Sequence, residues 1–388
     1  MYFKTIEEFN SDNSKKLIYD LRKEKDYNNE TIPGAVHLPW EKLEAAVKAD
    51  ELSFLPKDLT VYIFCYTDKK ADDLAIAIRE KGYENVYSIS GGYSSYARFK
   101  LNGLVTNEAE LAEKTKEIER SIIKKFKKDI WRQFTKAINE YEMIQDGDRI
   151  AVCISGGKDS MILAKLFQEL ERHGKKNFEV VYIGMDPGYN QVNREMIEYN
   201  SKLLNIPVHT FKTEIFDTVV DIKDSPCYLC ARMRRGYLYS KAQELGCNKI
   251  ALGHHFDDVI ETIVMGMMYG GQVQTMMPKL HSTNFPGMEL IRPLYLIRER
   301  DIIHWSKYNG LNFIRCACRF TEQSELNGED ENTSKRAEVK ALIAQLEKQN
   351  PYVPKNIFRS VENVNLSTII AYKNKGKKHH FLDEYDHS

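Results

Sequence analysis

No apolar run in this 388-residue sequence approaches the length that spans a bilayer, and its first ten residues, MYFKTIEEFN, lack the apolar core of a secretion signal. Both absences argue for a cytoplasmic chain with no membrane partner. Net charge is missing too: 56 basic residues balance 56 acidic ones, so a nucleic-acid site must be a local patch rather than a global field. Cysteine is sparse, with seven in all, and in a cytosolic chain these point away from structural disulfides toward redox, metal or sulfur chemistry. What is present is an ordinary globular composition, 42% apolar, long enough for two or three domains.

The most informative stretch is RIAVCISGGKDS, from Arg149 to Ser160. Ile150 to Ile154 reads as a buried strand, and Met161 to Phe167 has helical spacing, so the glycines and Lys158 between them form a strand-to-helix turn. Such a turn binds anions, because the first N–H groups of a helix have no internal partner and carry the positive end of its dipole. Gly156 and Gly157 allow close backbone approach to a phosphate, while Lys158 and the Ser155 and Ser160 hydroxyls add donors. The spacing is not that of the Walker loop. It resembles the SGGKDS signature of PP-loop ATP pyrophosphatases, which implies cleavage of ATP to AMP and pyrophosphate with adenylation of a substrate oxygen. A role for Asp159 follows only from that resemblance.

From 150 to about 320, strands and helices alternate as in an open, mostly parallel sheet with helices on both faces. The strands are expected at 150–154, 178–186, 208–211 and 249–253. Ligands bind such sheets at the carboxyl ends of the strands, which would gather Ser155 to Ser160, Asp186 and the GHHFDD segment, Gly253 to Asp258, around one crevice. Asp186 is expected to touch adenine or ribose. Gly253 and His254 would line the nucleotide, and Asp257 with Asp258 could hold Mg²⁺ beside the triphosphate, although an aspartate at a helix start is also good capping.

Residues 1–105 alternate short strands and helices as a small α/β domain. The order of its pieces, Asp20 with Arg22, IPGAVHLPW, a cysteine directly after the strand VYIFC, then SGGY, resembles a rhodanese domain. In that fold, loop amides and a helix N-terminus lower the thiol pKa and stabilise a persulfide, so Cys65 is the expected sulfur carrier. Asp68 and Lys70 depart from the usual loop, in which glycine and arginine are common. An inactive docking module is the alternative.

Residues 106–145 read as a linker running into one long helix. Ile118, Ile122, Phe126, Ile130, Phe134 and Ile138 make an apolar stripe, and Lys124, Lys125, Lys127, Lys128 and Arg132 occupy the other faces. The PP-loop domain is expected over 146–325. Beyond it, 326–388 reads as one helix and a tail with the basic patch KNKGKKHH, a candidate RNA contact.

Cys153 and Cys247 have the surroundings of small buried hydrophobes. Cys227 and Cys230, followed by Arg232, Arg234 and Arg235, form a CxxC, and Cys316 and Cys318 make a second pair. By residues alone three readings stand: a structural zinc, a persulfide and resolving-thiol pair, or an iron–sulfur cluster with one iron left open. The text from AINEYEMIQDGDRIAVCISGGKDS through CYLCARMRRGYLY and ALGHHFDDVIETIVMGMMYGG to IRPL resembles the tRNA 2-thiocytidine synthetase family of PP-loop sulfurtransferases. That resemblance implies a 4Fe-4S cluster on Cys227, Cys230 and Cys316, with Cys318 as the competing third ligand, since the late pair is spaced two apart rather than three. It also implies ATP and Mg²⁺ as cofactors and tRNA as substrate. A sulfur donor such as a cysteine desulfurase and a homodimeric state complete the expected partners. The expected function is ATP-dependent tRNA thiolation, with Lys158, Asp257 and Asp258 serving adenylation and Cys65 supplying sulfur. The alternatives are a sulfurtransferase acting on a small molecule, a lysidine-type tRNA ligase, and a sulfur-carrier protein without ATPase activity.

Overall fold

The computed structural model describes residues 2–66, 68–104, 108–189, 191–215, 226–313, 335–383 and 385. Contacts divide the chain into two compact units, Met1–Lys116 with Tyr189–Asn205, and Glu117–Gly188 with Ile206–Ser388.

The first unit is built on a five-stranded sheet of β1 (Phe3–Lys4), β2 (Lys16–Asp20), β3 (Ala35–His37), β4 (Thr60–Phe64) and β5 (Val86–Ile89), in the order β1-β5-β4-β2-β3. Every pairing in it is parallel. The central strand β4 is buried on both faces, and its alternation divides the core. Val61 and Ile63 pack with Leu43, Leu74 and Ile78, while Tyr62 and Phe64 pack with Ile6, Phe9 and Ile89 on the other side. The helix Gln191–Leu203 belongs to this unit. Its Glu195 pairs with Arg98 at 2.5 Å, and Thr115 Oγ1 donates to the Leu203 carbonyl at 2.7 Å.

The second unit carries a six-stranded sheet of β6 (Arg149–Ile154), β7 (Glu179–Asp186), β8 (Val208–Lys212), β9 (Lys249–Ala251), β10 (Lys279–His281) and β11 (Glu289–Ile291), ordered β10-β11-β9-β6-β7-β8. The four strands expected from sequence are present, and all pairings are parallel except β10 with β11. β10 and β11 are too short to show a pattern in sequence. They add an antiparallel edge. Strand β6 is the switch point, since the chain moves to β7 on one side and later returns to β9 on the other, and this opens a crevice at their carboxyl ends.

The long helix expected after the linker within 106–145 is interrupted. It runs as Glu108–Ile123, a π turn at Lys127–Trp131, and a second helix at Arg132–Glu140. A strict four-residue repeat advances roughly 40° per step beyond a full α-helical turn, so a straight helix would carry the stripe out of the core. The wider π turn, with Phe126 N bonded to the Ser121 carbonyl at 2.9 Å, takes up that drift, and all six stripe residues stay buried. At the C-terminal end KNKGKKHH forms a hairpin of β12 (Ala371–Asn374) and β13 (Lys377–His380), turned by Lys375 and Gly376, both at positive φ. No helix among the described residues is long and apolar enough to cross a membrane.

Candidate functional site

The phosphate loop leaves the fully buried end of β6 at Ser155, which is exposed. Gly156 takes φ +84°, a conformation that strains any side chain, and Gly157 caps the helix Lys158–His173 without a side chain to occupy its first amides. Ser160 is buried and spent inside the loop. Its Oγ accepts from Ser155 N at 3.1 Å and donates to the Gly157 carbonyl at 2.9 Å. The expected Ser160 donor is therefore a clip that shapes the turn, and Ser155 Oγ joins it by donating to Ser160 Oγ at 3.2 Å.

Lys158 Nζ lies 3.0 Å from Asp159 Oδ2 and 3.1 Å from Glu299 Oε1. Burial works against its charge, but Asp159 and Glu299 outweigh burial and raise its pKa. Glu299 opens the helix Glu299–Tyr308 and also meets Lys340 Nζ at 2.5 Å. Although burial pulls the other way, Lys158 and Lys340 hold the Glu299 carboxyl at about 2. Sequence reading missed Glu299, since a glutamate in a first helical turn carries no signal of its own.

Gly253, just beyond β9, brings the second loop against the first. A Cβ there would lie 3.1 to 3.2 Å from backbone atoms of Asp159 and Ser160. Next, His255 caps the helix Phe256–Gly270 in a reciprocal box with Asp258, donating its N–H to Asp258 Oδ2 at 3.0 Å. His255 Nε2 also lies 4.0 Å from Asp159 Oδ1. Two buried polar atoms in this wall, Asp159 Oδ1 and His254 Nδ1, have no hydrogen-bond partner among the described residues. Burial, followed by the Arg292 charge, pushes His254 down to about 4, so it is neutral at physiological pH.

The carboxylates expected to hold magnesium are already engaged. Asp257 pairs with Arg298 at 3.0 Å and accepts from Glu299 N at 2.6 Å, while Asp258 pairs with Arg336 at 2.9 Å in addition to its cap. A metal at either would have to displace an arginine. Asp186 is buried at the end of β7, and its Oδ1 accepts from Gly188 N at 2.9 Å, closing the turn.

Cys153 and Cys247 lie in one apolar cluster with Ala151, Ile183 and Ile250, and burial pushes both thiols up. They are core residues, as their neighbours suggest. Cys230 is buried on the first turns of the helix Pro226–Glu244. Cys316, Cys318 and the side chain of Cys227 fall outside the described residues.

Cys65 follows β4 and packs against Leu21, Leu43, Ala71 and Leu74. Burial raises its thiol to about 11, although the Tyr66 amide, Lys70 and Arg22 act the other way. The lowered pKa expected from the loop and helix is thus reversed, because the sulfur sits among apolar side chains where ionisation is costly.

Two family models match, a rhodanese-like domain over residues 5–99 and a PP-loop domain over 126–318. A rhodanese-like domain ahead of a PP-loop domain defines the class: an ATP-using sulfurtransferase with a rhodanese-like domain on the same chain. Among curated proteins, the tRNA-cytidine(32) 2-sulfurtransferase of Citrifermentans bemidjiense is 36% identical over 233 residues, covering 59% of this chain and 88% of that one. That of Geotalea daltonii is 37% identical over 254 residues, covering 64% and 94%. Among solved structures, the U34-tRNA thiolase of Methanococcus maripaludis with its [4Fe-4S] cluster aligns over 60% of this chain and 76% of its own, with TM-score 0.47 and 21% identity. By these relatives the chain belongs to the tRNA-cytidine(32) 2-sulfurtransferase family of ATP-dependent tRNA sulfurtransferases.

Proposed function

We propose that this chain replaces the C2 oxygen of a tRNA cytidine with sulfur at the cost of one ATP, cleaved to AMP and pyrophosphate. The observation that carries this reading is the backbone contact at Gly253, which joins the uncapped phosphate loop and the GHHFDD segment into one anion-binding wall with Lys158 and His254 on it.

A pyrimidine oxygen leaves poorly, so it first attacks the α-phosphate and displaces pyrophosphate. The free amides behind Gly157 hold the phosphates, and Lys158, kept charged by its carboxylate neighbours, offsets the charge that builds on the leaving group. Asp159 Oδ1 has the unfilled acceptor capacity that a phosphate-bound Mg²⁺ requires, and the ion would supply further charge neutralisation there. Asp257 and Asp258 then act as positioning residues, holding Arg298, Arg336 and the cap. Neutral His254 faces the same wall with an open ring nitrogen that can hydrogen-bond the base or ribose.

Cys227 and Cys230 are three apart in the sequence of the helix Pro226–Glu244, and soft thiolates of this kind suit iron or zinc. A cluster on Cys227, Cys230 and Cys316 would supply, when bound, one iron with an open position for sulfur. Cys65 brings sulfur to the protein as a persulfide, received from a donor such as a cysteine desulfurase, and a dithiol reductant supplies the two electrons that take the outer sulfur to the sulfide level of a thiocarbonyl, leaving the Cys65 thiol and a disulfide. AMP leaves with the former carbonyl oxygen once sulfur has added at C2. The hairpin lysines Lys373, Lys377 and Lys378 and the helix arginines Arg232 to Arg235 contact RNA phosphates, so binding weakens with salt.

The test is anaerobic purification with iron, sulfide and zinc analysis on the parent and Cys227→Ala, followed by mass analysis of nucleosides from tRNA incubated with ATP and a sulfur source. The expected result is 2-thiocytidine, with iron and sulfide that are lost in the variant. Zinc without iron would remove the cluster, and AMP formation without sulfur in the tRNA would remove thiolation.

A further inference from the structure

The helix Lys335–Gln349 reaches the phosphate loop from far along the chain, and no motif in the sequence announces it. It is anchored independently of the loop. Val339 and Ile343 are buried, Tyr269 Oη donates to Glu338 at 2.6 Å, and Glu347 pairs with Arg298 at 3.0 Å. One face then presents two cations one turn apart. Arg336 meets Asp258 at 2.9 Å and Glu261 at 3.6 Å, and Lys340 meets Glu299 at 2.5 Å.

Glu299 is shared. One of its oxygens takes Lys158 at 3.1 Å and the other takes Lys340, so two ammonium groups flank a single carboxylate beside the phosphate loop. Bringing like charges together is costly, and a half-exposed ion pair such as that of Lys340, 54% exposed, returns little stability. The arrangement makes chemical sense as a receptor for a multiply charged anion that replaces the carboxylate between the two cations.

We propose that Lys340 is a second phosphate-binding cation of the ATP site, engaging the pyrophosphate portion opposite Lys158, and that Glu299 holds both ammonium groups in place until the nucleotide arrives. This rests on the reading of the loop as an ATP site. The contact adds a residue from the helix Lys335–Gln349 to a site whose other members come from the loops after β6 and β9 and from the start of the helix Glu299–Tyr308. Lys158, 26% exposed, is the more enclosed of the two. Lys340 is the more exposed, and its flexible stem can follow the β- and γ-phosphates as pyrophosphate departs.

The experiment uses the full chain and measures binding of ATP, pyrophosphate and AMP to the parent, Lys340→Met, Lys340→Arg and the double variant Glu299→Gln with Lys340→Met. In Lys340→Met, ATP and pyrophosphate should bind roughly ten-fold or more weakly while AMP is unchanged, as expected for loss of a charge-assisted contact to the departing phosphates alone. Lys340→Arg should retain most of the affinity. If Lys340 served only to neutralise Glu299, the double variant would recover parental ATP affinity, and that outcome overturns the proposal. So does equal weakening for AMP and ATP. A parent that binds none of the three ligands would instead remove the nucleotide reading of the loop itself, and this inference with it.

Discussion

Two loops in this protein are built to the same plan and tuned in opposite directions. Each leaves the central strand of a parallel sheet and enters a helix, β4 to Asp68–Glu80 and β6 to Lys158–His173. In the first, the atom proposed to carry sulfur belongs to the chain: Cys65 is packed among Leu21, Leu43 and Leu74, and burial overrides the Tyr66 amide, Lys70 and Arg22, which favour a thiolate. In the second, Gly156 and Gly157 take the place of side chains, Ser155 is exposed, and Lys158 is held charged by Asp159 and Glu299. A helix N-terminus favours negative charge in both places, but the effect is small compared with desolvation. The comparison teaches that depth of burial, more than the helix terminus both loops share, decides which loop favours a negative charge.

The largest effects should separate the two loops cleanly. Lys158→Ala is expected to lower ATP-dependent pyrophosphate release by roughly 10²-fold or more, as when a transition-state charge partner is lost, while leaving persulfide formation on Cys65 intact. Cys65→Ser should do the reverse, abolishing persulfide detected by mass spectrometry and leaving pyrophosphate release unchanged. A fall in pyrophosphate release with Cys65→Ser would mean that the loops are not independent. Next in size is the reactivity of the thiol itself. With a pKa of about 11, against an ordinary 9, Cys65 should alkylate about 100-fold more slowly than an exposed thiol at pH 8, its rate rising roughly ten-fold per pH unit up to about 11. A plateau near pH 7 would show that the loop ionises the sulfur after all.

The charges behind the loops give a finer contrast. Behind Cys65, Asp20 and Arg22 pair at 2.6 Å and are both buried. Behind the phosphate loop, Glu261 is buried and burial raises it to about 7, with Lys340 and Arg336 only partly compensating. The folded state thus keeps a proton that the unfolded chain releases above an ordinary 4.5. The contribution is complete below that value, declines as pH rises to about 7, and amounts to about 3 kcal/mol at most. Glu261→Gln should remove this slope and leave the variant more stable than the parent at pH 8 in urea unfolding. The smallest effect belongs to the hairpin, where Lys378→Glu should weaken tRNA binding modestly and reduce the salt slope by about one, with ATP binding unchanged.

Much of this was legible in the sequence, for definable reasons. Strands β4 and β6 are apolar on both faces and announce themselves as buried runs, and the glycines of SGGKDS can only serve a tight turn. Cys153 and Cys247 read correctly as core from their neighbours. Other features depend on distant pairings that no local pattern encodes. Glu299 and Lys340 lie 141 and 182 positions from Lys158, and nothing in RERD or RAEVK marks them for the phosphate loop. The hairpin around Gly376 was hidden because its strands, AYKN and KKHH, show no alternation of apolar and polar residues. The direction of the Cys65 shift was missed because the loop's donors can be read from sequence, but the depth of the apolar cluster around the sulfur cannot.

The π turn at Lys127–Trp131 has a consequence for lineage. A turn of this kind arises when one residue is added to a straight helix, so the chain beyond Trp131 is phased one position later than an uninterrupted helix would set it. Relatives that lack the added residue should space their core positions three and four apart between the equivalents of Ile122 and Phe134. An alignment that ignores the gap would mispair every buried residue of one of the two flanking helices.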